Sequence, residues 1–247
     1  MNELKEHPQI SELMETLEKN DMHKEKRDVE ALVDYIGDME NTLTEMLKEM
    51  QSMRLEINLI HNSSLRVKCQ NLVQKTDGKI RQALSVVGRV KDNLIKSAAN
   101  AVKAFKEKGK EAFKKAFNAM KIPATLDKLG KMFGKLSADL SQDSKQLSSM
   151  QSELNSAKGH FKNVGRLLIG KEAKESKDKA DRGTLNRLGK LFEKLGRGFS
   201  SLEKKAYDHA DRIRVDKVKQ SVKSDLDFIK GSSSDRQKTA PEKGAVR

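Results

Sequence analysis

The chain has 247 residues, of which 36% are apolar, 35% charged and 4% aromatic, with no Trp and three Pro. That make-up suits long helices sharing a thin seam and excludes an ordinary compact β-containing domain, since no run of β-branched or aromatic residues alternates with period two. The net charge is +14 but unevenly placed: Met1 to Val73 holds 9 Lys/Arg against 15 Asp/Glu, and Gln74 to Arg247 holds 41 against 21. Such polarity implies either an acidic segment folded back on a basic one, or a basic region for phosphate-bearing partners.

Residues 3–20 form a short amphipathic helix with Ile10, Leu13, Met14 and Leu17 on one side. After the polar patch Asn20 to Lys26, apolar residues step by three and four without a miss through Val29, Leu32, Ile36, Met39, Leu43, Met46, Met50, Met53, Ile57 and Ile60. That is a heptad seam, which keeps an apolar stripe against a partner helix. Its methionines are adaptable filler for that seam, or else a Met-rich binding groove. The pattern loosens at His61 to Ser64 and resumes at Leu65, Leu72 and Val73. Thr76-Asp77-Gly78 then gives a turn or helix-stop signal, because Gly tolerates positive φ.

A second long helix follows through Ile80, Ala83, Val87, Val90 and Leu94, slips by one residue to Ile95, Ala98, Val102 and Phe105, and widens at Phe113 and Phe117. Ile122-Pro123 ends it, as the residue before Pro disfavours α geometry, and Thr125 is placed to cap the next helix. That helix holds the three–four rhythm from Leu126 to Leu168 with Asp143 as the one polar position. A buried lone carboxylate is costly, so Asp143 is expected at a frayed seam or paired with a lysine, with register-setting as the alternative. The start of this helix, TLDKLGKMFGKL (125–136), returns as TLNRLGKLFEKL (184–195) with eight of twelve positions identical. The first copy is expected inside the core bundle. The second, weakened by Gly196 and Gly198, is the better candidate for a mobile or partner-binding helix, a distinction that equal burial of Phe133 and Phe192 would refute.

The fold expected is all-α: an elongated antiparallel long-helix bundle with coiled-coil-like heptad seams. Its helices lie near 28–74, 79–121 and 125–169, joined by short turns at 76–78 and 122–124. The organisation is a short N-terminal helix (1–24), the antiparallel bundle (25–170), a charged linker (171–183) that is either a solvated helix stub or a flexible connection, a C-terminal helix (184–230) and a disordered tail (231–247). From Gly231 onward the chain is polar and Ser/Lys-rich.

Little in the chain suggests catalysis. Gly165 to Lys171, GRLLIGK, has the spacing of a phosphate-cradling loop, but Glu172 stands where Ser or Thr would hold magnesium, and a heptad precedes it instead of a strand. The five histidines are scattered and Cys69 is the single cysteine, so neither a metal centre nor an intramolecular disulfide is expected. The protein is therefore expected to be a non-enzyme without cofactor or metal. The acidic start MNELKEHPQI lacks a secretory layout and no window approaches the ~18 apolar residues of a spanning helix, so the location expected is cytoplasmic.

The strongest functional signal is a lysine stripe. Lys96, Lys103 and Lys110 recur every seven residues, as do Lys114 and Lys121, with Lys106 beside them. These six are the candidate anionic-partner face. Three readings remain open for them: a solvated bundle face, a surface for nucleic-acid phosphates, or an interfacial helix on anionic lipid. Lysine is a point-charge contact and aromatics are few, so any nucleic-acid binding is expected to be non-specific.

The runs DYIGDMENTL (34–43), AVKAFKEKGKEAF (101–113) and AKGHFKNVGRLLIGKE (157–172) resemble an uncharacterised family of long helical proteins from gut Clostridia and related Firmicutes. The resemblance covers about Met1 to Glu172. It implies a bacterial cytoplasmic setting and a link to conjugative or other mobile elements, and transfers no catalytic residue. The function expected is a helical interaction or scaffold protein of a mobile element, with protein partners or self-association through its seams. The alternatives are non-specific nucleic-acid binding, and peripheral membrane binding or toxin-like insertion by an amphipathic helix.

Overall fold

In the computed structural model, residues 3–168 and 176–236 are described, with side chains for 3–153 and 183–214. The chain is all-α: α1 (Pro8–Lys19), α2 (His23–Ile57), α3 (Ser63–Ala119), α4 (Ile122–Leu168) and α5 (Ser176–Arg236), with no strand among the described residues.

The side-chain pairs between helices define the topology. Glu40 meets Lys91 and Arg54 meets Asp77, so α3 runs against α2. Lys75 meets Asp143 and Lys79 meets Asp139, which sets α4 against α3. Asp127 meets Arg214 and the Ser137 hydroxyl donates to the Gly196 carbonyl at 3.0 Å, so α5 opposes α4. The ring closes because Asp38, Glu49 and Glu56 of α2 pair with Lys205, Lys194 and Arg187 of α5. Four helices thus alternate up and down around one apolar seam, an arrangement short connections favour. The α1 helix lies outside the ring, against α2 and the later part of α3.

The heptad seam of α2 is the core: all ten residues from Val29 to Ile60 are buried. Its methionines are seam residues, not a groove. Burying each such side chain stabilises by about 1.5–3 kcal/mol before entropy is counted. The expected all-α class is borne out, but three local expectations need correction.

The first break lies at 58–62, not at 76–78. Asn62 caps α3, its side-chain oxygen accepting the Leu65 N–H at 3.0 Å. The helix then continues through Asp77 and Gly78, because Asp77 is buried with one of its oxygens held by Arg54 at 3.1 Å and Arg81 at 2.8 Å. Tertiary ion pairs remove the reason for Asp-Gly to end a helix, and Gly78 has only open space beside it.

The second correction is at the α3–α4 junction. Lys121 takes the left-handed conformation (φ 49°) and α4 begins at Ile122, with Pro123 in its first turn, where a missing N–H costs nothing. Thr125 is already helical and its N–H bonds the Lys121 carbonyl at 3.1 Å, so it is not the cap.

The third concerns the C-terminal helix. Leu185, Leu188, Phe192, Leu195, Phe199 and Leu202 are buried, and Phe192 is as fully enclosed as Phe133. The second copy of the repeat is therefore a bundle element, and the distinction drawn between the copies fails. The glycines at 196 and 198 do not weaken the helix's docking. The Gly196 carbonyl accepts the Ser137 hydroxyl, and Gly198 lies close against the Met46 methyl. The α5 backbone also starts at 176 and runs to 236, so 176–183 takes the helical one of its two expected forms, and 231–236 is helix where a disordered tail was expected. The rest of those two segments lies outside the described residues.

One further break was not foreseen. Gly109 has φ 75°, ψ −167°, a conformation open essentially only to glycine. It bends 110–119 back on the helix before it. The rings of Phe105 and Phe113 lie 5.9 Å apart, whereas eight residues of straight helix would separate them by about 12 Å along the axis.

Candidate functional site

The six lysines of the α3 stripe do not form one face. The break at Gly109 separates Lys96, Lys103 and Lys106 from Lys110 and Lys114, and Lys121 sits in the following turn. Two of them hold α1: Lys106 bonds Glu12 at 2.6 Å, and Lys110 donates to the Asn20 carbonyl at 3.2 Å. Lys114 pairs with Glu111 at 3.2 Å and Lys103 stands 3.8 Å from Glu107. Lys96 and Lys121 are exposed, with no ion-pair partner among the described residues. Exposed pairs of this kind contribute about 0–1 kcal/mol each. They are weak tethers for α1, and they reduce the free positive charge of α3.

Folding sorts the charge of the whole chain. Glu12, Asp38, Glu40, Glu49 and Glu56 of the acidic N-terminal third all pair with cations of α3 or α5. The acidic segment folds back on the basic one. On α4 the carboxylates Asp127, Asp139 and Asp143 turn toward Arg214, Lys79 and Lys75. Its lysines do the opposite: Lys128, Lys131, Lys135 and Lys145 are exposed and without an ion-pair partner among the described residues. Their spacing continues the line of Lys121. This outward row escaped the sequence reading because Asp127 and Asp139 alternate with the lysines along the chain. Only the neighbours of α4 reveal which sign faces out. On α5, Lys190, Arg197 and Lys204 form a second exposed row at seven-residue spacing.

Inside the bundle, the polar groups are structural. Asp143 is buried, not frayed, and Lys75 reaches it at 3.3 Å, which bears out the lysine pairing expected for it. Its other oxygen, the Thr76 hydroxyl and one oxygen of Asp77 have no hydrogen-bond partner in the structure. Tyr35 is buried and its hydroxyl donates to the Leu202 carbonyl at 2.6 Å, joining α2 to α5; burial, with Asp38 adding to it, pushes its phenol well above the ordinary range. His209 lies 5.6 Å from the Tyr35 ring. No cluster of three or more His, Cys, Asp or Glu that could hold a metal occurs among the described residues. A shallow depression between α2 and α3 is lined by Arg54, Ile57, Asn58, Gln70, Val73 and Gln74. The first residues of the loop lookalike, 165–168, continue α4 as helix, and the remainder lies outside the described residues. Among the described residues no helix is long and apolar enough to cross a membrane.

Fold and surface together define a class: an antiparallel all-α bundle in which many carboxylates pair with cations of neighbouring helices and Lys128, Lys131, Lys135 and Lys145 of α4 face outward. The chain belongs to the Family of unknown function (DUF6674), whose family model matches residues 6–246. That match reaches well past residue 172, where the resemblance of the peptide runs ends. No curated protein and no solved structure matches the chain.

Proposed function

We propose that this is a non-enzymatic helical interaction protein, a bundle scaffold that presents a basic face to an anionic partner. The observation that carries the reading is the sorting of charge on α4, where Lys128, Lys131, Lys135 and Lys145 are left to solvent and Asp127, Asp139 and Asp143 pair with cations of α3 and α5. Such a face attracts polyanions and raises their rate of encounter. The setting proposed is the cytoplasm of a bacterium carrying mobile elements; it rests on the resemblance of 34–43, 101–113 and 157–172 and fits a single, buried cysteine. Retention on immobilised heparin at low salt, with capture from a bacterial lysate with and without nuclease, tests the reading. A protein that passes through heparin at low salt and captures no partner is not an anion-binding scaffold.

A second reading, self-association, is favoured by a separate observation. Leu55, Leu59 and Val67, at the α2–α3 turn, are 72%, 71% and 52% exposed. Light scattering over a concentration series decides it: a constant monomer mass, unchanged by Leu59→Ser, ends this reading.

A further inference from the structure

We infer that Lys121 and the α4 row Lys128, Lys131, Lys135 and Lys145 form a docking surface for the sugar-phosphate backbone of double-stranded nucleic acid. This rests on the anionic-partner reading and narrows it to one partner, on a surface that shares only Lys121 with the α3 stripe.

The geometry comes first. With a rotation of about 100° per residue, the four α4 positions fall within an arc of about 100°, and Lys121 lies in the turn just before the helix. Ala138 and Gln142 share that arc; Asp127 lies on one edge of it, paired with Arg214, Asp139 lies just beyond the other edge, paired with Lys79, and the exposed Glu153 continues the arc about two turns beyond Lys145. The buried residues Leu126, Leu129, Phe133 and Leu140 occupy the opposite side and fix the helix against α5. From Lys121 to Lys145 the row spans about 36 Å, close to one duplex turn. Along the axis Lys128, Lys131 and Lys135 stand within about one Debye length of their neighbours at physiological salt, so their fields reinforce, and Lys121 and Lys145 extend the row at either end.

The choice of partner follows from what the face lacks. Binding to a lipid surface needs apolar side chains that enter the interface. The exposed large apolar residues among those described, Leu55, Leu59 and Val67, belong to α2, α3 and their connection. Single-stranded nucleic acid is held by bases stacked on exposed aromatics, and among the α4 residues with described side chains the one aromatic, Phe133, is fully buried. A rigid, straight row of point charges matches a stiff polyanion that needs neither insertion nor stacking. Contacts from lysine to phosphate fix position without reading sequence.

The test is fluorescence anisotropy with a labelled duplex of about 20 bp over a salt series from about 25 to about 200 mM. The wild-type chain is expected to bind with a steep salt dependence and without sequence preference. A variant with Lys128, Lys131, Lys135 and Lys145 all changed to Gln should bind at least about tenfold more weakly at low salt, with a slope shallower by about 3. A control removing the same charge from α3 (Lys96, Lys103, Lys108 and Lys115 to Gln) should stay within about threefold of wild type. Circular dichroism establishes that both variants keep the helical fold. Equal losses in the two variants, or a partner preference for phosphatidylserine vesicles over duplex, overturn the inference. Retention on heparin without duplex binding overturns it too but leaves the anionic-partner reading standing; absence of both ends both.

Discussion

The ring of Phe133 stacks on that of Phe199, centroids 5.9 Å apart and planes 24° from parallel, and both side chains are fully buried. The pair joins the first copy of the repeat to the helix launched by the second. The copies do not face each other: the first meets residues 196–214, as Gly130 under Tyr207 and Asp127 with Arg214 show. Phe192, in the second copy, is buried to the same degree. Phe133→Ala and Phe192→Ala should therefore each cost about 3–5 kcal/mol in urea unfolding. A loss at Phe192 well below that at Phe133 would return α5 to the status of a loosely held helix.

Glycines in helices divide into two kinds here. A Cβ at Gly130 would come within 3.0–3.2 Å of the Tyr207 ring, a rigid neighbour with little room to yield. At Gly78 and Gly88 it would meet nothing within 4 Å, and neither residue has positive φ. Gly78→Ala and Gly88→Ala are thus expected to stabilise by up to about 1 kcal/mol each through helix propensity, while Gly130→Ala destabilises. Thermal melts of the three variants check the signs; a stabilised Gly130→Ala shows that the α4–α5 contact can relax.

How much of this was legible in the sequence depends on what reports a feature. The seam from Val29 to Ile60 was readable residue by residue, since burial on one helix face is a periodic property of a single segment. The end of α2 was not, because Asp77-Gly78 offers a stronger local stop signal than 58–62. What overrides it, Arg54 and Arg81 on Asp77, comes partly from another helix. The Gly109 break was hidden because glycine is tolerated in helices and the apolar pattern runs on past it. The candidate face suffered most. A lysine stripe is visible along one helix, but which lysines are already paired depends on Glu12 and Asn20, about ninety residues away.

Asp143 tests whether the buried polar layer stabilises or only specifies. Lys75 is half exposed and can return to water if its partner goes, while the second oxygen of Asp143 is buried without a partner. Replacing such a buried charge by an apolar residue of similar volume is often neutral or stabilising by about 1–4 kcal/mol. Asp143→Leu, which completes the α4 seam, is expected to raise the urea midpoint or leave it unchanged. A drop of more than about 1 kcal/mol would mean that the carboxylate contributes more than its one lysine contact, as in an internal hydrogen-bond network.

His209 gives the bundle a pH dependence whose sign can be worked out. Burial first, then Arg212 and Lys205, lowers its pKa below the ordinary imidazole value, against the opposing pull of Asp208 and Asp38. The fold therefore favours the neutral ring beside Tyr35. A group with a depressed folded pKa that is neutral when deprotonated contributes stability above its unfolded pKa, about 6.5, and loses it as pH falls toward the folded value. Below both values the imidazolium must be accommodated between α2 and α5, where Lys205 and Arg212 repel it. Carboxylates titrate in the lower part of the same range, so the informative quantity is the difference between wild type and His209→Phe, which keeps an aromatic ring near Tyr35 and removes the proton. Urea midpoints from about pH 7.5 to about pH 5 should fall more steeply for the wild type. Parallel curves for the two proteins would mean that the ring titrates alike in the folded and unfolded chain, and that the contact with Tyr35 does not depend on its charge.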